Sequence, residues 1–556
     1  MNMQQELPAS TVSSVVANIV AEHVDEIFAV MGNGNAYFLD ALAGREDVRI
    51  TTLRHETATV ASADSYYRIS RKVAAASTTF GPGYTNAITS IAEAVCSRTP
   101  MVMIVGGPPT SGLRPWDVEQ GVLAEAVGAI SLTIEAERVT EITELAFARA
   151  RAERLPVILS IPFDLAKTSV QVSKTRQPLP PAAVVPEASA AELTKLVSMI
   201  SQARRPLLLA GRGAALAAEP LGQVADQIGA LTASSAPARG TFAGREWDLG
   251  VCGGFASEAS SALIAQADLV LAVGVALNQF TTAFGSQFAE TATLVQVDIH
   301  QRATTPRVDQ FIQADAAHFS TQLLERLVEV APPTQRWEGA AEHARSSQLN
   351  FERPIGEGLA ADGRLDPRSA MHALNRILPA ERQVVSDGGH FIGWSSYYFE
   401  LPQPDALTMV GTQFQSIGLG LPSAAGAARA RPEATTIVVS GDGGGLMGIS
   451  DLDSLVRVAK SAAVIIFNDA CYGAEIHQYG SQGLDEQVME IEPVNFAQMA
   501  QGMRATGVEV HSMEDLAQVQ RWVEDGAHGT ILIDLHISRS IIAPYIVEII
   551  EKTLKK

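Results

Sequence analysis

With 556 residues, of which 47% are hydrophobic and 18% charged, the chain has material for about three buried cores. A net charge of −20 argues against a nucleic-acid partner or an anionic membrane surface, but not against a small anionic substrate held at a locally basic site. Cys96, Cys252 and Cys471 are far apart, so they offer neither a disulfide framework nor metal-ligand spacing, and no apolar run reaches the length of a membrane span. The start, MNMQQELPAS, has no basic and apolar signal-peptide regions, so the expected location is the cytoplasm.

In chain order, residues 11–30 predict an amphipathic helix leading into a strand, then a Gly-rich turn containing Asn33 and Asn35. Both suit the turn itself; the alternative is that they point into a site. Residues 48–70 predict a strand and a long helix with Glu56 at the junction, where a glutamate favours the helix dipole. Residues 73–109 read as strand, Gly-Pro-Gly turn, helix, strand. The loop PTSGLRPWDVEQG at 109–121 breaks the pattern and is a candidate substrate loop, with Arg114, Trp116, Glu119 and Gln120 as its informative side chains. A Pro-rich linker at 177–189 separates a second α/β unit, whose GRG at 211–213 is too weak a signal for a dinucleotide site. A polar connection at 330–364 follows.

The third unit opens with RQVVSDGGHFIGW at 382–394, a strand and a turn holding Gly389 and His390. The small residues of GTQFQSIGLGLPSAAGAARA at 411–430 allow close helix–sheet packing. The stretch from Ser440 to Gly473 then reads as strand end, Gly-rich turn, helix, strand, turn. That βαβ connection places the Gly441–Gly445 turn and the Asn468–Gly473 turn at one carboxyl edge, where open α/β sheets bind ligands. Asp442 and Asp469 thus face one crevice. Hard oxygen ligands beside glycines at a helix start suit Mg²⁺ holding a diphosphate; the alternative is that each Asp only caps a turn. Glu475 and His477 follow within reach.

The Ser440–Gly473 segment, the SIGLGLPSAAGA run and the RHE glutamate resemble, in order and spacing, thiamine diphosphate (ThDP) enzymes of the acetolactate synthase, 2-oxo acid decarboxylase and benzaldehyde lyase group. The resemblance implies three consecutive doubly wound parallel-sheet α/β domains: pyrimidine-binding at 1–176, central at 190–340 and diphosphate-binding at 365–545. It implies Asp442, Asp469 and the Cys471 carbonyl as metal ligands, although Asp469 replaces the commoner Asn. Gly389, His390, Gly441, Gly443, Gly444, Tyr472 and Gly473 become cofactor contacts. Ile417 becomes the wedge between the cofactor rings, the Gln415 carbonyl faces the 4′-amino group, and Glu56 binds N1′. Asn33, Gln120 and His477 become catalytic candidates, and Asn35, Arg114, Trp116 and Glu475 substrate contacts. The implied reaction is ThDP- and Mg²⁺-dependent decarboxylation of a 2-oxo acid followed by carboligation to an acceptor carbonyl, in a homodimer or homotetramer. Simple decarboxylation or C–C cleavage with aldehyde release is the alternative, and a non-catalytic ThDP-binding or regulatory subunit is disfavoured by Glu56. FAD in the central domain is a further alternative that the sequence does not favour.

Overall fold

Each of three stretches alternates short apolar runs with helices, and each crossover helix returns the chain to the same edge, so successive strands pair in parallel. The computed structural model describes residues 10–171, 185–329, 337, 353–403 and 405–554. The linker expected at 177–189 and the connection expected at 330–364 fall in large part outside these described residues.

Three six-stranded parallel sheets result, each with covering helices, which makes the fold α/β and doubly wound. The first sheet contains Glu26–Ala29, Arg49–Thr52, Ala75–Thr78, Met101–Gly107, Ile130–Thr133 and Pro156–Pro162. A short antiparallel pair, Ser10–Thr11 with Ser169–Val170, ties the two ends of this unit together. The central sheet contains Pro206–Ala210, Leu231–Ser234, Asp248–Val251, Leu269–Val273, Thr293–Asp298 and Gln310–Gln313. The third contains Arg382–Ser386, Leu407–Met409, Thr435–Gly441, Ser461–Asn468, Thr506–Val510 and Gly529–His536. Val438, Val439, Val464, Ile465 and Ile466 are all fully enclosed, as expected of strands covered on both faces.

Numbered in chain order within each sheet, the first and third run 2-1-3-4-6-5 and the central one 3-2-1-4-5-6. The order reverses between strands 1 and 3 of the outer sheets, and ligands bind at the carboxyl ends beside such a reversal. In the third sheet those ends are Ser386 and Gly441. In the central sheet the GRG glycines serve close packing. A Cβ on Gly211 would lie 2.1 Å from the Gly274 carbonyl oxygen, and Gly213 N–H donates to that same oxygen at 3.0 Å.

The small residues of 411–430 do more than the helix–sheet packing expected of them. The helix Gly420–Ala430 packs on the first unit's helix Glu56–Ser70 as well as on its own sheet. A Cβ on Gly426 would lie 1.9 Å from the Ser62 carbonyl oxygen, and the Ser62 and Ser65 hydroxyls donate to the Pro422 and Ser423 carbonyls at 2.8 and 2.6 Å. Closeness of two backbones, which only small side chains permit, joins the outer units.

Candidate active site

The strand Thr435–Gly441 runs straight into a helix, Asp442–Gly448, so Gly443 to Gly445 lie in a helical turn and not in the open turn expected from the sequence. Glycine disfavours helix, but packing overrides that preference here. A Cβ on Gly443 would lie 2.7 Å from Tyr472 Cε1, and one on Gly444 would lie 2.8 Å from Asp387 Oδ2. The neighbouring strand Ser461–Asn468 ends in the turn that carries Asp469, Cys471 and Tyr472, then enters the helix Gly473–Tyr479. A cleft opens between these ends and the Gly388–His390 turn, with Ile417 and Glu475 at its wall.

Asp442 is buried, and its Oδ1 accepts the Gly443 N–H at 2.8 Å while Oδ2 is enclosed without a hydrogen-bond partner. Burial, and then the adjacent Asp469, push the Asp442 carboxyl up to about 7. Burial raises Asp469 as well. Two enclosed carboxylates and an orphaned oxygen are destabilising unless a cation joins them, and all-oxygen donors match a hard divalent ion. The residues therefore fit a magnesium-held diphosphate. Around them the glycines leave room: a Cβ on Gly473 would lie 2.9 Å from Asp469 Oδ2.

The Asp469 turn is held from outside the cleft. Arg539 Nε donates to the Asp469 carbonyl and Nη2 to the Ala470 carbonyl, both at 2.6 Å, and Ala470 takes a left-handed φ of 56°. Asn468 turns away, its amide donating to Asp534 Oδ1 at 2.9 Å and the Val494 carbonyl at 3.1 Å. Of the Asn-Asp pair, only Asp469 lines the cleft. Cys471 lines it too, with its thiol raised well above the ordinary range by burial.

His390 Nε2 accepts the Ala543 N–H at 2.9 Å, so the proton of the neutral ring is on Nδ1. Burial, then His477, holds its pKa down to about 3. His477 lies behind His390, ring centroids 4.7 Å apart, and does not form the cleft wall. Gln415 adopts a φ of 62° and its amide donates to the Thr412 carbonyl at 2.9 Å, while Ile417 is 38% exposed at the cleft mouth. Sequence reasoning missed Asp387. This fully enclosed carboxylate accepts from Gly388 N (2.9 Å), Gly418 N (3.1 Å), Leu419 N (3.3 Å) and Ser440 Oγ (3.0 Å), joining two loops and a strand end beside the cleft. Its one signal was its place before two glycines at a strand end.

The first unit's candidates gather at the carboxyl edge of their own sheet. Glu56 opens its helix, and its Oε2 accepts from Asn86 Nδ2 at 3.0 Å. Asn33 is exposed. Asn35 is buried and used in its turn, Oδ1 accepting Gly32 N–H at 2.8 Å and Nδ2 donating to Val30 O and Ser77 Oγ. Gln120 is also buried, bridging Gly106 O (3.1 Å) and Gly81 N (3.2 Å). Arg114 makes a two-pronged pair with Asp117 at 2.8 and 2.9 Å, and its guanidinium stacks 4.2 Å from the Phe80 ring centre and 4.7 Å from that of Phe163. Trp116 is 57% exposed. Among the described residues, the Asp442 cleft is lined wholly by the third unit, and none of these first-unit groups borders it.

A glycine-lined cleft with two buried carboxylates, at the reversal point of a doubly wound sheet, is what a metal-bound diphosphate cofactor requires. Residues 10–129 match the thiamine pyrophosphate enzyme N-terminal TPP binding domain, residues 193–323 the central domain and residues 387–535 the C-terminal TPP binding domain. The chain belongs to the thiamine pyrophosphate enzymes, whose cofactor is ThDP. It is 25% identical over 535 residues to acetolactate synthase 2, chloroplastic, of Zea mays, covering 92% of this chain and 83% of that protein. It is 27% identical over 514 residues to the acetolactate synthase isozyme 1 large subunit of Escherichia coli (strain K12), covering 90% and 88%. It is 26% identical over 538 residues to sulfoacetaldehyde acetyltransferase of Alcaligenes xylosoxydans xylosoxydans, again covering 90% and 88%. Among the described residues no helix is long and apolar enough to cross a membrane.

Proposed function

We propose that this enzyme decarboxylates a small 2-oxo acid and transfers the remaining acyl unit to a second carbonyl compound. The observation that carries the cofactor in this reading is the Asp442–Asp469 pair with its orphaned oxygen in a glycine-lined cleft, and the similarity to acetolactate synthases and sulfoacetaldehyde acetyltransferase supports acyl transfer as the reaction. Asp442, Asp469 and the Cys471 carbonyl would hold Mg²⁺, with Gly389, His390, Gly441, Gly443, Gly444, Tyr472 and Gly473 around the diphosphate. Bound ThDP supplies the electron sink for the pair released as CO₂ departs. Ile417 would keep the two cofactor rings bent together, and the Gln415 carbonyl would accept from the 4′-amino group. Glu56 would hold a proton at N1′, the step for which a positioned carboxylic acid is needed. Buried Gln120 and Asn35 act in this account by fixing the loops that present Asn33, Arg114 and Trp116 to substrate. His477 acts by backing His390, and Glu475 remains at the cleft wall as a substrate contact.

Since the cleft is lined wholly by the third unit and Glu56 of the same chain does not border it, the reading calls for two copies, each completing the other's site in a homodimer or dimer of dimers. Exposed Ile417 at the cleft mouth, with exposed Met447 packed beside Gly418, supports that pairing, because neighbouring large apolar side chains at a surface favour a partner; Met31, Leu113 and Trp116 are exposed on the first unit. The three units serve as pyrimidine-binding (1–176), central (190–340) and diphosphate-binding (365–545) domains, with the central one in a structural role.

A second reading, aldehyde release or C–C cleavage without acyl transfer, draws on Arg114. Asp117 already neutralises it, which weakens its pull on an acceptor carboxylate. Incubating the holoenzyme with a panel of 2-oxo acids, with and without acceptor aldehydes or oxo acids, separates the two by mass spectrometry of the products. Coupled products support acyl transfer; quantitative free aldehyde with acceptor in excess supports the second reading. For acyl transfer to a carboxylate acceptor, Arg114→Ala raises the acceptor KM and leaves donor decarboxylation nearly intact.

A further inference from the structure

The loop that carries Gln415 and Ile417 is gripped by the other outer domain. Glu93 lies in the helix Ile88–Cys96 and is 1% exposed. Its Oε2 accepts two consecutive backbone N–H groups across the domain boundary, Gln413 at 3.1 Å and Phe414 at 2.8 Å. Its Oε1 accepts from Arg68 Nη2 at 2.8 Å and from Ser97 Oγ at 3.2 Å. Arg68 Nη1 reaches on to the Met409 carbonyl at 2.7 Å, where the loop leaves its strand. Asp64 takes the rest of the Arg68 guanidinium, with Nε–Oδ1 at 2.8 Å and Nη2–Oδ2 at 2.5 Å.

This buried cluster holds two carboxylates and one guanidinium, so it lacks one positive charge. Arg212, the middle residue of the central domain's GRG, supplies a neighbouring guanidinium, and its Nη2 donates to the Ser97 carbonyl at 2.6 Å. Charged groups this enclosed are stable only when each partner is in place, so the cluster has one arrangement. The loop is thereby pinned at its start by Arg68, in its first turn by Glu93 and at its end by Asp387. Gln415 and Ile417 lie in the span between the last two. Gln415 keeps its left-handed φ of 62° there, which a loose loop would abandon.

We propose that Glu93, fixed by Arg68, is a positioning residue that sets the place of the Ile417 wedge and the Gln415 carbonyl against the cofactor. The inference rests on the ThDP reading above, since it needs a cofactor for Ile417 to bend. It also gives the GRG arginine a use that dinucleotide binding does not.

Glu93→Asp keeps the charge for Arg68 but draws the acceptor oxygen back from the loop by one methylene. Glu93→Gln places an amide where either Arg68 or the loop needs an acceptor. The readouts are amide hydrogen exchange of peptides covering 409–419, ThDP affinity with Mg²⁺ by calorimetry, and C2 hydrogen–deuterium exchange of bound ThDP at saturation. Glu144→Gln, a buried glutamate of the same domain paired with His23, controls for general loss of first-domain stability. In both Glu93 variants we expect exchange at 413–414 at least tenfold faster, ThDP affinity about tenfold weaker and C2 exchange at least tenfold slower; Glu144→Gln leaves all three near wild type. Wild-type affinity and C2 exchange in folded Glu93→Asp overturn the proposal. So does rapid exchange of the 413 and 414 amides in wild type, a result that needs no variant. A wild-type protein that binds no ThDP overturns the functional reading instead.

Discussion

Replacing Asp387 should separate stability from ionisation. Asp387→Ala strands the enclosed Gly418 and Leu419 amides. At about 1–3 kcal/mol for each unsatisfied buried group, the loss is about 2–6 kcal/mol before any cavity is counted. Asp387→Asn keeps an oxygen at the Oδ1 position for Gly388, Gly418 and Leu419 and offers an NH₂ that the Ser440 hydroxyl can turn to accept, so it loses only the second of the two acceptors of Gly418 and costs less than the Ala variant. The charge adds a second effect. Burial raises the Asp387 carboxyl to about 6 from its ordinary 3.8, outweighing the hydrogen bonds that lower it. An acid with a raised folded pKa destabilises as pH climbs, because the unfolded chain ionises first. Between about pH 4 and 6 the wild type should lose roughly 3 kcal/mol that the Asn variant keeps. Thermal or urea unfolding of the metal- and cofactor-free protein at matched pH measures the difference. Parallel stability–pH profiles for wild type and Asp387→Asn from pH 4 to 7, or an Ala variant as stable as wild type, would refute the reasoning.

Glu56→Gln should leave ThDP affinity within about tenfold, roughly 1.4 kcal/mol, and lower turnover by about 10²-fold or more. C2 exchange of bound ThDP as fast as wild type would reduce Glu56 to a helix-start residue. Gly473→Ala should weaken ThDP binding in the presence of Mg²⁺ by at least tenfold, because the new methyl lies 2.9 Å from Asp469 Oδ2 and must displace the carboxylate proposed to hold the metal. Unchanged affinity by calorimetry would show that the Asp469 carboxylate is not fixed by that glycine.

The parts of the site legible in the sequence were those whose logic is local. The strand, Asp442 and its glycines are contiguous, and the next strand brings Asp469 to the same edge by βαβ geometry alone. The parts that were not legible depend on tertiary partners. Glu93 meets Gln413 and Phe414 across 320 and 321 positions, and Arg539 braces Asp469 across 70. No periodicity or spacing encodes such pairs. Gly443–Gly445 were readable as special but not as helical, because glycine's helix propensity gives way to Tyr472, Asp387, Ile466 and Phe496 packed against their Cα atoms. For Asn35 the sequence left two roles open, and the hydrogen bonds to Gly32, Val30 and Ser77 are those of a turn former.

Calorimetric titration of ThDP into the protein with Mg²⁺ tests the central claim most directly, run on wild type, Asp442→Ala and Asp469→Asn. We predict saturable, magnesium-dependent binding for wild type, no detectable binding for Asp442→Ala and a mild change for Asp469→Asn, which retains an oxygen ligand. Wild-type affinity in Asp442→Ala would contradict the account, because the metal would then be held without the carboxylate whose orphaned oxygen points to it.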